Sequence, residues 1–130
     1  MIWQDAALGM AGVVGSSVAV VHGVLTQRLM VRPLGEILAA DRRVGAVIRR
    51  LVPLLLQFST VVWFLGGLAL IAAAGWFGSG ARLATGLLVG GTYLFGALGN
   101  LWGTRGRHPG WMFMTAALIL IAFGLGKSGG

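Results

Sequence analysis

The sequence predicts an all-α polytopic membrane protein, a bundle of four transmembrane helices with an interfacial amphipathic helix between the first two. Hydrophobic residues make up 57% of the 130 residues and charged residues only 10%, whereas a soluble domain has about 25% charged residues. Four apolar segments approach or reach the roughly 20 residues that a helix needs to cross a bilayer. Proline and glycine stand at most of their boundaries. The chain is expected to form one membrane domain, 1–130.

The first apolar run is expected to form a span over about 6–29. Pro33 marks its exit, because a proline disfavours helical geometry in the residue before it. The run has no basic segment in front of it and no small-residue cleavage site followed by a soluble domain. We therefore predict a retained helix rather than a signal peptide.

Three further spans follow from the same pattern. The second begins near Pro53, which suits a first helical position because its missing N–H costs nothing there, and covers about 53–75. A short turn then leads into an antiparallel third span over about 81–103. The fourth and shortest follows Pro109 over about 110–126, and its scarcity of polar residues predicts a peripheral position.

The segment 34–52, between the first two spans, has the pattern of an amphipathic helix lying in the membrane interface. Its apolar residues recur at three- and four-residue steps, and its arginines fall largely outside that stripe, where they can reach phosphate groups. The alternative is a solvated basic loop. The apolar stripe consists of Ile37, Val44, Val47, Ile48 and Leu51.

Lysine and arginine are distributed unequally between the two sides that this topology creates. The side with the first and third connections holds eight arginines, and the other side holds only Arg82 and Lys127. Basic loops stay in the cytoplasm, so we expect a bacterial inner-membrane protein with both termini outside. The arginines are expected to contact anionic lipid headgroups or a partner. They are Arg28, Arg32, Arg42, Arg43, Arg49, Arg50, Arg105 and Arg107.

Composition also limits the chemistry. The chain has no cysteine and only three acidic residues, so disulfides, thiolate catalysis and a paired-carboxylate mechanism have no basis. The net charge of +7 does not predict nucleic-acid binding, because the composition is too apolar for a basic DNA-binding domain. No hydrolase, metalloprotease or phosphate-binding motif is present. The sequence therefore predicts no enzyme, no catalytic residue and no metal site.

Small and polar residues indicate which face of a membrane helix meets protein. In the first span they fall on one side of the helical wheel, and valines occupy most of the rest. We expect the first side to pack inside the bundle and the valine side to face lipid or a partner. The packing side consists of Gly12, Gly15, Ser16, Ala19, His22, Gly23 and Thr26.

Five polar residues on inward faces form the candidate ligand site: His22, Gln57, Thr60, Tyr93 and Asn100. At about 1.5 Å of rise per residue, His22, Gln57 and Asn100 lie within roughly 10 Å of the cytoplasmic surface. They could form a pocket for a quinone, haem, pigment or lipid headgroup, or relay protons, with His22 as the titratable member. Alternatively, they hydrogen-bond one another and lock the bundle.

Haem ligation by two histidines has a further requirement. The second histidine, His108, lies in the loop "RGRHPG" before the fourth span. It would have to fold inward or come from another copy of the chain. No cofactor is therefore predicted, although haem, quinone and pigment stay open.

Two stretches, "VHGVLTQRLMVRPL" and "LLQFSTVVW", resemble a loosely defined group of small four-span bacterial inner-membrane proteins. In that group a histidine near the helix end precedes a basic-Pro-Leu exit, and the second span often opens with an aromatic residue, a histidine and a nearby threonine. Gln57 stands at the position of that second histidine, and Thr60 matches the threonine. The resemblance covers the first half of the chain and implies a fold without an activity.

Three functions remain open from the sequence. The leading one is a non-catalytic accessory or scaffold subunit that packs against a larger membrane complex or against itself, since no catalytic residues and no evident pathway are found. The alternative is a membrane protein that binds a small molecule through the inner-leaflet polar residues. The third is a small homo-oligomeric channel.

Overall fold

The computed structural model describes residues 2–126, which are helical over nearly their whole length and contain no strand. The all-α class is therefore confirmed, whereas Lys127 lies outside the described residues. Three helical stretches are long and apolar enough to cross a membrane: Ile2–Ala40, Ala46–Trp76 and Ser79–Thr104. The elements are α1 (Ile2–Thr26), a π-helical turn (Gln27–Val31), α2 (Arg32–Ala40), α3 (Ala46–Trp76), α4 (Ser79–Thr104) and α5 (Gly110–Leu125).

Four helices pack side by side in a ring, in which α1 and α4 each contact both α3 and α5. The largest fully buried side chains in the ring belong to Tyr93, Leu8, Leu70 and Met114. The 16-residue α5 buries a face through Met114, Ala117, Ile121 and Gly124. The expectation of a peripheral fourth segment was therefore wrong. An all-apolar helix can bury any face without leaving a polar group unsatisfied.

Glycines bring the backbones of α1 and α3 into contact. A Cβ atom on Gly67 would lie 2.6 Å from the carbonyl oxygen of Gly12, and one on Gly12 would lie 2.7 Å from Cγ1 of Ile71. Both glycines are buried. One turn further along α1, the hydroxyl of Ser16 donates a hydrogen bond to the carbonyl oxygen of Phe64 (3.4 Å). Small residues therefore form the interface, on the side of α1 that the sequence predicts.

Pro33 does not end the first helix. The backbone N–H of Arg32 bonds to the carbonyl oxygen of Gln27, five residues back, which gives the π-helical turn. The following α2 then begins with the proline in its first turn, where the missing N–H is tolerated. The wider turn lets the chain pass a proline that would clash with a regular α-helix.

The segment 34–52 is not one helix in the structure. Residues 41–45 separate α2 from α3, because the Asp41 carboxylate accepts a hydrogen bond from the backbone N–H of Arg43 (2.9 Å) and so forms a local turn. Gly45 is then the extended residue before α3. Pro53 lies inside α3 rather than at its start, eight residues into the helix, where it lacks one backbone hydrogen bond.

The two ends of the ring differ in charge. At the end where α1 begins, Arg82 forms an ion pair with Asp5, and the side-chain amide of Gln4 bonds to the carbonyl oxygen of Gly126. The eight arginines of the predicted basic side lie at the other end, in the π-turn, in α2, in the turn after it, at the start of α3 and after α4. All eight are exposed.

We expect Gly67→Ala to destabilise the fold and Gly75→Ala to leave it unchanged or slightly more stable. The added methyl group at position 67 meets the backbone of α1, whereas position 75 in the same helix has open space around it. Overpacking costs about 1–3 kcal/mol, while replacing an unhindered helical glycine with alanine gains up to about 1 kcal/mol. Thermal unfolding in mild detergent, followed by circular dichroism, measures both. Equal midpoints would contradict the close α1–α3 contact.

Candidate functional site

His22 is fixed near the end of α1 by two hydroxyl groups and an indole ring. Its Nε2 atom lies 3.1 Å from Oγ of Ser59 on α3 and 3.3 Å from Oγ1 of Thr26, one turn further along α1. The centroid of its ring lies 4.6 Å from that of Trp63, with the planes tilted by 55°. These contacts hold the imidazole between α1 and α3 and set its orientation.

The indole ring of Trp63 packs against the imidazole ring of His22. Its indole N–H donates to the carbonyl oxygen of Thr92 on α4 (3.2 Å). A Cβ atom on Gly96 would lie 2.5 Å from the indole ring, so this glycine is what allows the tryptophan to lie against α4. The sequence offered a signal for its role, because Trp63 lies deep within an apolar run instead of at a span end.

Asn100 lies in α4, near the same end of the ring. Its side-chain oxygen is buried and has no hydrogen-bond partner among residues 2–126. A buried acceptor without a partner costs about 1–3 kcal/mol. Such groups are rare in folded proteins, and each calls for a structural or functional explanation.

The connection from α4 to α5 folds over the end of the ring. Arg105 (φ 53°) and Gly106 (φ 75°) adopt left-handed backbone conformations that reverse the chain. The N–H of Gly106 bonds to the carbonyl oxygen of Leu101 (2.9 Å), and the indole N–H of Trp111 donates to the carbonyl oxygen of Gly106 (3.2 Å). The loop is thus held against both helices, and it carries His108 inward.

His108 is arranged as a hydrogen-bond donor. Its Nδ1 atom accepts a hydrogen bond from the backbone N–H of Gly110 (3.1 Å), so the proton of the neutral ring is on Nε2. Metal ligation through Nε2 would require a proton on Nδ1 and the loss of this bond. This arrangement favours a ligand oxygen as the partner of His108 over a metal ion.

A cavity of about 370 Å³ lies between α1, α4 and α5, and we call it the α1–α5 cavity. His22, Asn100 and His108 line it, together with the hydroxyl of Ser17, and the rest of its lining is mostly apolar. Its rim includes side chains exposed at the outer surface, namely those of Val13, Ser17, Val21 and Phe113. The cavity therefore opens sideways, between α1 and α5. The other lining residues are Val14, Val18, Trp63, Gly96, Pro109, Gly110 and Met114.

The structure distributes the five predicted ligand residues over three places. His22 and Asn100 line the α1–α5 cavity. Gln57 and Thr60 line a separate groove, where the Thr60 hydroxyl donates to Oε1 of Gln57 (2.8 Å). Tyr93 is fully buried, and its hydroxyl donates to the carbonyl oxygen of Trp63 (3.1 Å).

Sequence reasoning did not include His108 in the candidate site. A signal for it was present, because residues 105–109 are too few to carry the histidine far from the ends of α4 and α5. Within residues 2–126 no three metal-ligating side chains form a cluster. The arrangement therefore offers hydrogen-bonding side chains at one end of an apolar cavity.

We expect Asn100→Leu to raise the stability of the ligand-free protein and His22→Leu to lower it. Leucine has the same branched shape as asparagine and removes a buried acceptor without a partner, a gain of about 1 kcal/mol or more. Leucine at position 22 leaves the hydroxyls of Ser59 and Thr26 without their shared partner. Unfolding midpoints in mild detergent measure both variants. A loss of stability in Asn100→Leu as large as that in His22→Leu would contradict the description of the Asn100 oxygen as a buried acceptor without a partner.

Comparisons with known proteins give no relative for this chain: no family model, no curated protein and no solved structure matches it.

Proposed function

We propose that α1, α3, α4 and α5 all cross a bacterial inner membrane as a four-helix bundle. Three of these stretches are long and apolar enough to do so. The fourth, α5, has 16 residues and a length of about 24 Å, less than the roughly 30 Å of bilayer hydrocarbon. It packs between α1 and α4, so a bilayer surrounding those helices also surrounds α5. Short helices are accommodated by local thinning of the bilayer.

The charge distribution supports an orientation with the basic end of the bundle in the cytoplasm. Eight arginines lie at that end. At the opposite end Arg82 is paired with Asp5. The positive-inside rule then places the N terminus outside.

The proposed orientation predicts different labelling of two single-cysteine variants, which is practical because the natural chain has no cysteine. Arg43→Cys and Ser79→Cys change exposed residues at opposite ends. In intact spheroplasts a membrane-impermeant maleimide should label Ser79→Cys, and it should label Arg43→Cys only after permeabilisation. The reverse pattern would invert the orientation, and labelling of both in intact spheroplasts would place the two ends on one side.

We infer that this chain binds a small amphiphilic molecule in the α1–α5 cavity. The observation that carries this proposal is the separation of polar and apolar lining within one cavity. His22, Asn100 and His108 supply the polar groups at one end, Ser17 adds a hydroxyl at the rim, and valines and Phe113 form much of the rest of the wall and rim. A molecule with one polar head and an apolar body matches that arrangement, and the sideways opening provides an entry path from lipid. The volume of about 370 Å³ falls in the range of small-molecule sites.

The hydrogen bonds at the polar end narrow the class of ligand. His108 has an Nε2 proton to donate, because its Nδ1 atom already accepts a bond from Gly110. The head of the ligand is therefore expected to carry an oxygen that accepts this bond, as in a quinone or a hydroxylated lipid. Haem ligation by His22 and His108 together is less favoured, because both rings already hold hydrogen bonds through a nitrogen that ligation would disturb.

The functions of accessory subunit and oligomeric channel stay predictions from the sequence. The exposed apolar faces of the helices suit contact with lipid as well as with a protein partner. The middle of the ring is filled by buried side chains such as Tyr93 and Leu70. A channel would therefore run between copies of the chain.

Purification in mild detergent, followed by organic extraction and mass spectrometry, tests the binding function. We expect a small amphiphile in near-stoichiometric amount with the natural protein and a loss of at least about tenfold with Ser17→Phe. Ser17 is exposed and lines the cavity, so a phenyl ring there occupies the cavity without entering the core.

Ala116→Phe is the matched control, because Ala116 is exposed on α5 and does not line the cavity. It should retain the molecule at the level of the natural protein. Two outcomes overturn the proposal: extraction of no stoichiometric molecule from the natural protein, or equal retention by the two phenylalanine variants.

A further inference from the structure

A second concave site lies at the basic end of the molecule, between α1 and α3. This groove has a volume of about 410 Å³ and begins where α1 passes into the π-helical turn. We call it the basic groove. Val20, Gly23 and Val24 form its apolar part, Gln27, Gln57 and Thr60 its polar floor, and Arg28 and Arg32 its charged rim.

The polar floor of the basic groove is satisfied by the protein itself. The amide nitrogen of Gln57 donates to the carbonyl oxygen of Gly23 (3.0 Å) and to Oε1 of Gln27 (3.4 Å). The hydroxyl of Thr60 donates to Oε1 of Gln57 (2.8 Å). These bonds hold the side chains of Gln57 and Thr60 in place. The two exposed arginines are the charged groups of the groove that an external partner can reach.

Neither Arg28 nor Arg32 forms an ion pair within the described part of the chain, where the ion pair observed is that of Arg82 with Asp5, at the opposite end. Glu36, four residues after Arg32 on α2, is exposed and lies beyond ion-pair distance of both arginines. Both arginines are exposed. They are four residues apart, so they lie on one face of the chain. Guanidinium groups bind phosphate oxygens through paired hydrogen bonds, which makes two adjacent arginines a suitable site for a phosphate-bearing headgroup.

We propose that the basic groove binds an anionic phospholipid, with its phosphate on Arg28 and Arg32 and one acyl chain along Val20 and Val24. The apolar part favours a lipid over free phosphate, because it continues from the charged rim along the membrane-spanning part of α1. A zwitterionic lipid carries a positive group that the arginines repel. This site is separate from the α1–α5 cavity, since the two share no lining residue.

Lipid titration of the purified, delipidated protein tests the proposal. Dioctanoyl phosphatidylglycerol, dioctanoyl phosphatidylcholine and inorganic phosphate are added separately, and binding is measured by native mass spectrometry and by the shift in unfolding midpoint. We expect phosphatidylglycerol to bind and to raise the midpoint, phosphatidylcholine to bind at least about fivefold more weakly, and inorganic phosphate to have no effect at the same concentration.

Two double variants with the same change in charge distinguish binding in the basic groove from general electrostatic attraction of the lipid to the arginines. Arg28→Gln with Arg32→Gln should weaken phosphatidylglycerol binding by about tenfold or more. Arg42→Gln with Arg43→Gln changes exposed arginines that do not line the groove, and it should alter binding less than about twofold. Circular dichroism verifies that both variants are folded.

Val24→Trp tests the acyl-chain half of the site with both arginines intact. Val24 is exposed and lines the groove, so the indole should block the chain and weaken phosphatidylglycerol binding without affecting the fold. Equal binding of the two lipids, an equal loss in the two arginine double variants, or full binding by Val24→Trp would each overturn the proposal. Binding of inorganic phosphate as tight as that of phosphatidylglycerol would also overturn the proposal, because the groove would then be a site for a phosphate ion and not for a lipid.

Discussion

The close approach of α1 and α3 at Gly12 and Gly67 is the constraint on which the other features depend. Without Cβ atoms the two backbones meet directly, and this contact fixes how far each helix is shifted along the other. About three turns further along α1, the same register places Gly23 against Thr60, where a Cβ atom would lie 2.6 Å from Cγ2 of the threonine. It also brings His22 within hydrogen-bond distance of Ser59. Packing near the middle of the ring therefore positions polar groups at its basic end.

On the side of α1 that faces α5, the helices are not closely packed, and the α1–α5 cavity lies between them. There, the valines of α1 and Phe113 of α5 do not interdigitate closely, and the loop after α4 covers the end of the gap. Asn100, which lines this cavity, has a buried side-chain oxygen without a partner among the described residues, and this costs stability. A tightly packed interface on one face of α1 and a gap on the other give the helix two different roles. It anchors the fold through its glycines and supplies half of a binding site through its valines.

Much of the fold could be predicted because it follows from local pattern. Apolar runs of sufficient length gave the helices, and the small-residue side of α1 is the side that meets α3. The proline boundaries were less predictable, since a π-helical turn carries the chain past Pro33 and α3 contains Pro53. Pro33 lies in the first turn of α2, where its missing N–H is tolerated, whereas α3 continues past Pro53 despite the loss of one backbone hydrogen bond. The candidate site was predicted only in part, because which residues share a cavity depends on neighbours that are distant in sequence. His108 joins His22 through a left-handed turn at Arg105, and non-glycine residues rarely adopt that conformation.

The ion pair between Asp5 and Arg82 makes the molecule electrically asymmetric along the helix axes. Within residues 2–126 this pair leaves no net side-chain charge at one end, while eight arginines leave the other end strongly positive. An energised bacterial membrane is negative inside, and moving one positive charge outward against it costs about 2.3 kcal/mol per 100 mV. In the proposed orientation, inversion would carry these eight arginines outward against that field. The membrane potential of the living cell therefore adds to the free-energy difference that favours the proposed orientation over the inverted one.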